Sequence, residues 1–125
     1  MKILVTNDDG IESASLKALA RWATKFGEVT VVAPKIEQSG KSQSIDFFHP
    51  VEIKQVDFDG IEAWAMDSTP ADCVRFAVLG LKKEFDLCIS GVNRGYNMGA
   101  DIMYSGTCAA AYEAVNLGIP AIALS

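Results

Sequence analysis

The hydrophobic positions of this chain occur in short apolar runs separated by segments of helical periodicity. Residues 2–7 predict a buried strand, and residues 29–33 predict a second one that Pro34 ends. Between these runs, residues 13–26 place apolar side chains three and four positions apart, as an amphipathic helix does. A strand, a helix and a strand in so few residues indicate a βαβ unit, with parallel strands and a right-handed crossover.

The first predicted helix begins at Ser13 or Ser15 and ends near Phe26, with Gly27 as its C-terminal stop. Its apolar face consists of Leu16, Leu19, Ala20, Ala23 and Phe26. A long polar segment, residues 35–50, follows the second strand, and loops of this length are often functional.

The second half of the chain continues the alternation of strands and helices. Asp59-Gly60 suits a tight turn in a hairpin formed by residues 51–58 and 61–66, which we interpret as an excursion from the main sheet. The further predicted elements are a helix with Thr69 as N-cap, Pro70 at N1 and Asp72 at N3, and a core strand over residues 86–90. Thr107 or Ser105 is predicted to cap a helix that runs through residues 109–117 and ends at Gly118, and an apolar strand follows over residues 120–124. The chain is therefore predicted to form a single α/β domain over residues 1–125, a three-layer α/β/α sandwich with a Rossmann-like, mostly parallel sheet.

The composition argues against several classes of function. Half of the residues are hydrophobic, 22% are charged and the net charge is −5, which is typical of a globular protein and argues against binding to duplex nucleic acid. Acidic residues at positions 8 and 9 interrupt any leader-like segment, and no apolar run could span a membrane, so we expect a cytoplasmic protein. The single histidine, His49, makes a histidine metal site or a Ser-His-Asp triad improbable, and the three cysteines are expected to be buried, reduced thiols.

Asp8 and Asp9 directly follow the first predicted strand and precede Gly10. Open α/β sheets bind ligands at the carboxyl ends of their strands. Two carboxylates about 4 Å apart repel by about 4 kcal/mol in a partly buried site. A shared proton or a hard divalent cation such as Mg²⁺ or Mn²⁺ offsets that repulsion. Helix capping explains one of the two acids but not both.

Three other polar segments carry candidate chemistry. Residues 39–42 (SGKS) fail the P-loop pattern because Lys35 stands where that pattern needs glycine, although Ser39 offers an oxygen and Lys41 a cation. A plain solvated loop is an equal alternative for this segment. Asn93 follows the predicted strand at 86–90 and offers an amide oxygen to a hard cation. Residues 104–107 (YSGT) open a helix, where backbone N–H groups can bind an anion or the hydroxyls can act as ordinary caps.

Five segments together resemble the survival protein E (SurE) family of metal-dependent nucleotidases. They occur in family order, as residues 3–10 (ILVTNDDG), 33–40 (AP with QSG), 69–73 (TPADC), 90–95 (SGVNRG) and 104–111 (YSGT with AAA). The resemblance implies hydrolysis of nucleoside monophosphates, 5′ and also 3′, with one Mg²⁺ or Mn²⁺ ion. Members of the family are considerably longer than this chain, and a homodimer or tetramer is expected from the resemblance.

The resemblance also implies the site residues. The metal ligands implied are Asp8, Asp9, Ser39 and Asn93. The phosphate contacts expected are Asn7, Gly40, Lys41, Asn97, Ser105, Gly106 and Thr107. Asp8 or Asp9 is the expected acceptor of a proton from the attacking water.

A rival hypothesis is a non-catalytic, Mg²⁺-binding signalling module similar to a response-regulator receiver domain, which also has paired acids after its first strand. Such a domain needs a phosphorylated aspartate after its third strand and a lysine after its fifth. Here Asp57 and Asp59 fall in the predicted hairpin, and no lysine follows Lys83.

Overall fold

The computed structural model describes residues 1–36, 51–92 and 106–124. In chain order, the elements of these residues are β1 (Lys2–Thr6), α1 (Ala14–Ala23), β2 (Glu28–Pro34), β3 (Ile53–Val56), β4 (Glu62–Met66), α2 (Pro70–Arg75, continued by a π-helical turn over Phe76–Gly80), β5 (Leu87–Ser90), α3 (Gly106–Asn116) and β6 (Ala121–Ala123).

The six strands form one sheet in the order β3-β4-β2-β1-β5-β6. All neighbours are parallel except β3 and β4. β1 is central, with Val5 opposite Val31 of β2 on one side and Ile89 of β5 on the other. The connections leave β1 toward β2 and return to its other side at β5, so a switch point in strand order lies between β1 and β5.

Side chains of the central strands alternate between two hydrophobic layers. Ile3 and Val5 pack into a cluster with α1, whereas Leu4 and Cys88 pack into a second cluster with α2 and α3. Each face of the sheet is therefore covered by helix, as parallel sheets require. This arrangement confirms the predicted three-layer sandwich.

The C-terminal end of α1 differs from the prediction. Ala23 is the last helical residue, and the hydroxyl of the C-cap residue Thr24 donates to the carbonyl of Arg21 at 2.5 Å, a local bond that competes with helix continuation. Phe26 was wrongly predicted on the buried face: it is 56% exposed and packs edge-to-face on Trp22. Gly27 is not the helix stop. A Cβ at this position would lie 2.0 Å from the carbonyl oxygen of Met1, so close backbone approach requires glycine there.

The predicted hairpin is present, but it belongs to the main sheet. Asp59 and Gly60 both have positive φ, 54° and 84°, as a two-residue turn of the right twist requires. Residues Ile53 to Val56 pair antiparallel with β4, and β4 pairs in parallel with β2. The interpretation as an excursion is therefore corrected: small buried residues of β4, Ala63 and Ala65, let the hairpin extend the sheet and close its α1 face.

The remaining helices follow the sequence closely. Thr69 caps α2, with its Oγ1 accepting from the N–H of Asp72 at 3.3 Å, and Pro70 is the first helical residue. Gly118, with φ of 86°, follows the end of α3 as predicted. Within the described parts of the chain, no helix is long and apolar enough to cross a membrane.

The other edge of the sheet is β6, which pairs with β5 alone. Its Ile122 is 46% exposed, and Tyr112 and Val115 of α3 are also exposed nearby on the chain's last helix. The apolar strand predicted over residues 120–124 is therefore present as Ala121–Ala123, and it forms this edge of the sheet. Cys73 and Cys88 are buried thiols, and burial raises the pKa of Cys88 to about 12, which makes it unreactive at neutral pH. Cys108 is buried as well.

The hairpin turn generates a first prediction. Replacing Gly60 by alanine should lower the free energy of unfolding by about 1 kcal/mol, because a Cβ disfavours positive φ. The space around Gly60 is open, so no steric clash adds to this cost. Urea denaturation measures the effect. Gly60→Asn is the matched control and should cost less, since asparagine tolerates this conformation; equal costs for the two variants would contradict the explanation.

The ion pair between Glu62 and Lys83, at 2.5 Å, generates a second prediction. The hydrogen bond from Lys83 lowers the pKa of Glu62 below its ordinary value of 4.5. The pair therefore stabilises the fold above that value, and the contribution is lost as the pH falls through the lower, folded-state pKa. Lys83→Met should cost less than about 1 kcal/mol at pH 7 and progressively less below pH 4.5, measured by urea denaturation across pH. The neighbouring change Lys82→Met is the control, and a cost for Lys83→Met that does not depend on pH would contradict the assignment.

Candidate active site

The carboxyl ends of β1, β2 and β5 are joined by backbone hydrogen bonds beyond the strands themselves. Gly91 donates to the carbonyl of Thr6 at 2.9 Å, and Ile11 donates to the carbonyl of Pro34 at 2.7 Å. The turn that follows β1 is thus attached to both neighbouring strands. It lies at the switch point, where α/β sheets place their ligands.

Asn7 and Gly10 fix the shape of this turn. The Asn7 side chain donates from Nδ2 to the carbonyl of Gly10 at 2.9 Å and accepts from the N–H of Gly10 at 3.2 Å. Gly10 has φ of 109°, which side-chain-bearing residues rarely adopt. Asn7 is only 1% exposed, so these bonds are shielded from water. Its predicted contact with phosphate stays a prediction; in the structure its amide holds the turn.

Asp8 and Asp9 lie between these two anchors. Asp8 is 4% exposed and Asp9 is half-buried. The Oδ2 atom of Asp9 is buried and has no hydrogen-bond partner among the described residues. The capping alternative fails for both acids, because Ser13 is the N-cap of α1 and no acidic residue lies in its first turn. Helix capping therefore does not account for the two acids, and the unpartnered Oδ2 of Asp9 is an oxygen that a ligand could use.

The donor set at this turn suits a hard cation. Carboxylate oxygens are ligands that Mg²⁺ and Mn²⁺ accept, and the buried Oδ2 of Asp9 is available as one. Within the described ranges, no three His, Cys, Asp or Glu side chains gather in a way that could hold a metal. The other two implied ligands, Ser39 and Asn93, do not belong to these four residue types. They lie outside the described residues, so the fit of the structure to a metal depends on the carboxylate pair.

The first turn of α3 supplies the predicted phosphate side of the site. Gly106 and Thr107 are its first two residues, and both are buried. An 11-residue helix presents unpaired N–H groups and positive partial charge at this end. The remaining predicted contacts lie outside the described residues: Gly40, Lys41, Asn97 and Ser105.

Sequence reasoning assigned no role to two hydroxyls at the same edge, Thr6 and Ser90. They are fully buried, and neither hydroxyl oxygen has a hydrogen-bond partner among the described residues. The available signal was a polar residue at the last position of an otherwise apolar strand. This signal is weak for Thr6, because threonine is a β-branched residue and is common in strands whether or not its hydroxyl has a role.

A cleft of about 320 Å³ lies at the amino ends of the strands, on the side of the sheet opposite to the turn after β1. It is lined by Lys2, Glu28 and Lys83, among other residues. Lys2 and Glu28 begin β1 and β2, so this cleft lies at the amino ends of the strands. Lys83 is paired with Glu62. Parallel α/β sheets bind ligands at the carboxyl edge, so the turn after β1 remains the better candidate.

The double hydrogen bond of Asn7 generates a prediction. Asn7→Ala leaves the N–H and carbonyl of Gly10 without their side-chain partner, and should cost about 1–3 kcal/mol of unfolding free energy. Asn7→Asp keeps the acceptor for the N–H of Gly10 but not the donor to its carbonyl. Chemical denaturation should rank wild type above both variants, and a wild-type stability for Asn7→Ala would show that the turn does not depend on this side chain.

Comparison with known proteins identifies the family. The family model described as "Survival protein SurE" matches residues 3–125. The chain is 48% identical to the 5′-nucleotidase SurE of Methanopyrus kandleri, over all of this chain and 48% of that protein. It is 47% identical to the 5′-nucleotidase SurE of Legionella pneumophila subsp. pneumophila, over all of this chain and 49% of that protein.

A solved structure shows the same fold. The crystal structure of the SurE protein from Aquifex aeolicus superposes with a TM-score of 0.85 and 42% identity, over 98% of this chain and 50% of that one. The chain thus spans about half the length of the curated relatives it matches. With a family model matched over almost its whole length, this chain belongs to the SurE family.

Proposed function

We propose that this chain carries the catalytic core of a metal-dependent phosphomonoesterase that hydrolyses nucleoside monophosphates to nucleoside and phosphate. The observation that carries the proposal is the carboxylate pair of buried Asp8 and half-buried Asp9, on a turn fixed at the switch point of the sheet. The relatives named 5′-nucleotidase support the substrate class. Activity on 3′-nucleotides is part of the proposal, from the family resemblance alone.

Asp8 and Asp9 would hold the cation, with Ser39 and Asn93 as the further proposed ligands. When bound, a divalent cation neutralises phosphate charge and acidifies a coordinated water. A cation also explains how a chain with a net charge of −5 binds an anionic substrate. The proposed ion is Mg²⁺ or Mn²⁺, since oxygen ligands suit both.

Phosphate is bound by the first turn of α3. The backbone N–H groups at Gly106 and Thr107 face no earlier turn of the helix, so they are available to phosphoryl oxygens. Charge that develops on those oxygens is stabilised by donors fixed in advance. Gly40, Lys41, Asn97 and Ser105 are proposed as further contacts, and Asn7 keeps the turn and the carboxylates in place.

The reaction proceeds by direct attack of water on phosphorus. The water oxygen bonds to phosphorus, and a carboxylate of the pair accepts the water proton. The bond to the nucleoside oxygen breaks, and that oxygen takes a proton from solvent to leave as the alcohol. A covalent aspartyl phosphate is the alternative route. Aspartate phosphatases of that type place a second acid two residues after the first, where this chain has Gly10 after Asp8.

The receiver-domain hypothesis gains no support from the fold. Asp59 lies in the hairpin turn, where it pairs with Arg21 at 2.6 Å, and Asp57 directly follows the edge strand β3. A receiver domain needs its phosphorylated aspartate at the end of a central strand.

Phosphate release from a nucleoside monophosphate, with Mn²⁺ or Mg²⁺ and with EDTA, tests the proposal. Asp9→Asn should lower kcat/KM by about 100-fold or more, because it removes a charged ligand that the cation needs. Asp59→Asn makes the same chemical change at the exposed hairpin turn and should leave turnover unchanged. Calorimetric titration with Mn²⁺ gives a second readout, in which Asp9→Asn should bind more weakly.

The two readouts separate the possible failures. Wild-type protein that binds Mn²⁺ through Asp9 but releases no phosphate would contradict hydrolysis while keeping the metal site. Turnover that EDTA does not affect would contradict metal dependence.

A further inference from the structure

Thr6 and Ser90 face the same side of the sheet. They are directly opposite each other in the parallel register of β1 and β5. Leu4 and Cys88, two residues earlier on the same strands, pack into the cluster formed with α2 and α3. Because side chains alternate with a period of two along a strand, Thr6 and Ser90 point toward that helical layer too.

Thr107 lies on the face of α3 that covers these two residues. Ala110 packs in the same cluster as Leu4 and Cys88, and Thr107 is one turn earlier on the same helix face. β5 and β6 are parallel, so α3 between them runs back along the sheet with its N-terminus at the carboxyl edge. Three helical residues span about 4.5 Å and two strand residues about 6.6 Å, which places Thr107 at the level of the carboxyl ends of β5 and its neighbour β1.

All three hydroxyls are buried. Thr6, Ser90 and Thr107 are each 0% exposed. None of their three hydroxyl oxygens has a hydrogen-bond partner among the described residues. Buried hydroxyls in proteins are nearly always hydrogen-bonded, so three of them at one place indicate a shared partner. A buried water typically makes about three hydrogen bonds to such groups, which matches this set in number.

We propose that Thr6 and Ser90 are positioning residues of the phosphate site, and that they act through Thr107. A water held by the three hydroxyls ties the first turn of α3 to the ends of β1 and β5. The same strand ends carry the turn with Asp8 and Asp9, so the tie fixes the phosphate-binding N–H groups relative to the carboxylates. This inference depends on the proposed function, because it assumes that phosphate binds at the N-terminus of α3.

Loss of one of these hydroxyls should weaken the binding of phosphate but not the binding of the metal. Removing a hydroxyl loosens the turn of α3 but leaves the bonds from Asn7 to Gly10, and hence the carboxylates, in place. A purely structural role for the hydroxyls would change stability without a selective effect on phosphate. The two roles therefore differ in what is measured.

The test is the binding of inorganic phosphate at saturating Mg²⁺, by calorimetry, to Thr6→Val and Ser90→Ala. Each variant should bind phosphate about tenfold more weakly, the loss expected for one hydrogen bond, with unchanged affinity for Mn²⁺. Thr6→Ser keeps a hydroxyl and should bind phosphate as the wild type does. Cys88→Ala removes a small polar atom two residues away on the same face and is the matched structural control.

Three outcomes would overturn the proposal: wild-type phosphate affinity in both variants, an equal loss in Cys88→Ala, or no rescue by Thr6→Ser. Thermal unfolding of every variant identifies any loss caused by instability, and Ser90→Ala decides the question if Thr6→Val does not fold. If both variants bind phosphate normally while the wild type still shows metal-dependent turnover, only this inference falls. A folded wild type that binds no phosphate would remove the proposed function and this inference together.

Discussion

β1 lies between two parallel neighbours and is covered by helix on both faces, and the remaining structure depends on this burial. Ile3, Leu4 and Val5 are almost completely buried among apolar side chains. The middle of the strand therefore offers no position for a catalytic or ligand-binding side chain. Polar residues can appear only where the strand ends. The pairing that buries β1 also fixes the position of its last residue relative to β2 and β5. The turn that follows β1 therefore has a fixed position relative to both neighbouring strands.

The turn after β1 keeps charge in a place where charge is unfavourable. Two adjacent carboxylates in a partly buried site repel, and the fold does not relieve this by turning them into helix caps. Instead, the amide of Asn7 and the positive φ of Gly10 hold the backbone on either side of the pair. The local structure is therefore rigid where the electrostatics are least favourable. This combination supports the proposed cation site, because a hard cation would offset the repulsion between the carboxylates.

The two helical layers have different tasks. α1 covers one face of the sheet with an ordinary hydrophobic cluster, and its own end is determined by local bonds at Thr24. α2 and α3 cover the other face, and α3 brings its N-terminus to the carboxyl edge beside the acids. The hydroxyls of Thr6, Ser90 and Thr107 lie where this layer meets the strand ends. The hydrophobic packing of Ala110 with Leu4 and Cys88 thus sets the distance between the two halves of the proposed site.

The sequence by itself determined the order of the elements and the identity of the acids. Apolar runs specify buried strands, helical spacing specifies amphipathic helices, and capping at Thr69 and termination at Gly118 are local interactions, so these predictions were confirmed. Phe26 and Gly27 were misread because hydrophobic spacing does not show where a competing side-chain bond ends a helix, nor that Met1 would pack against Gly27. The tertiary structure alone decided that the hairpin joins the main sheet, that β1 and β5 are neighbours, and that Thr6 and Ser90 lie opposite each other at the ends of these strands. These features depend on contacts between residues far apart in the chain, and no local pattern of side chains encodes such contacts.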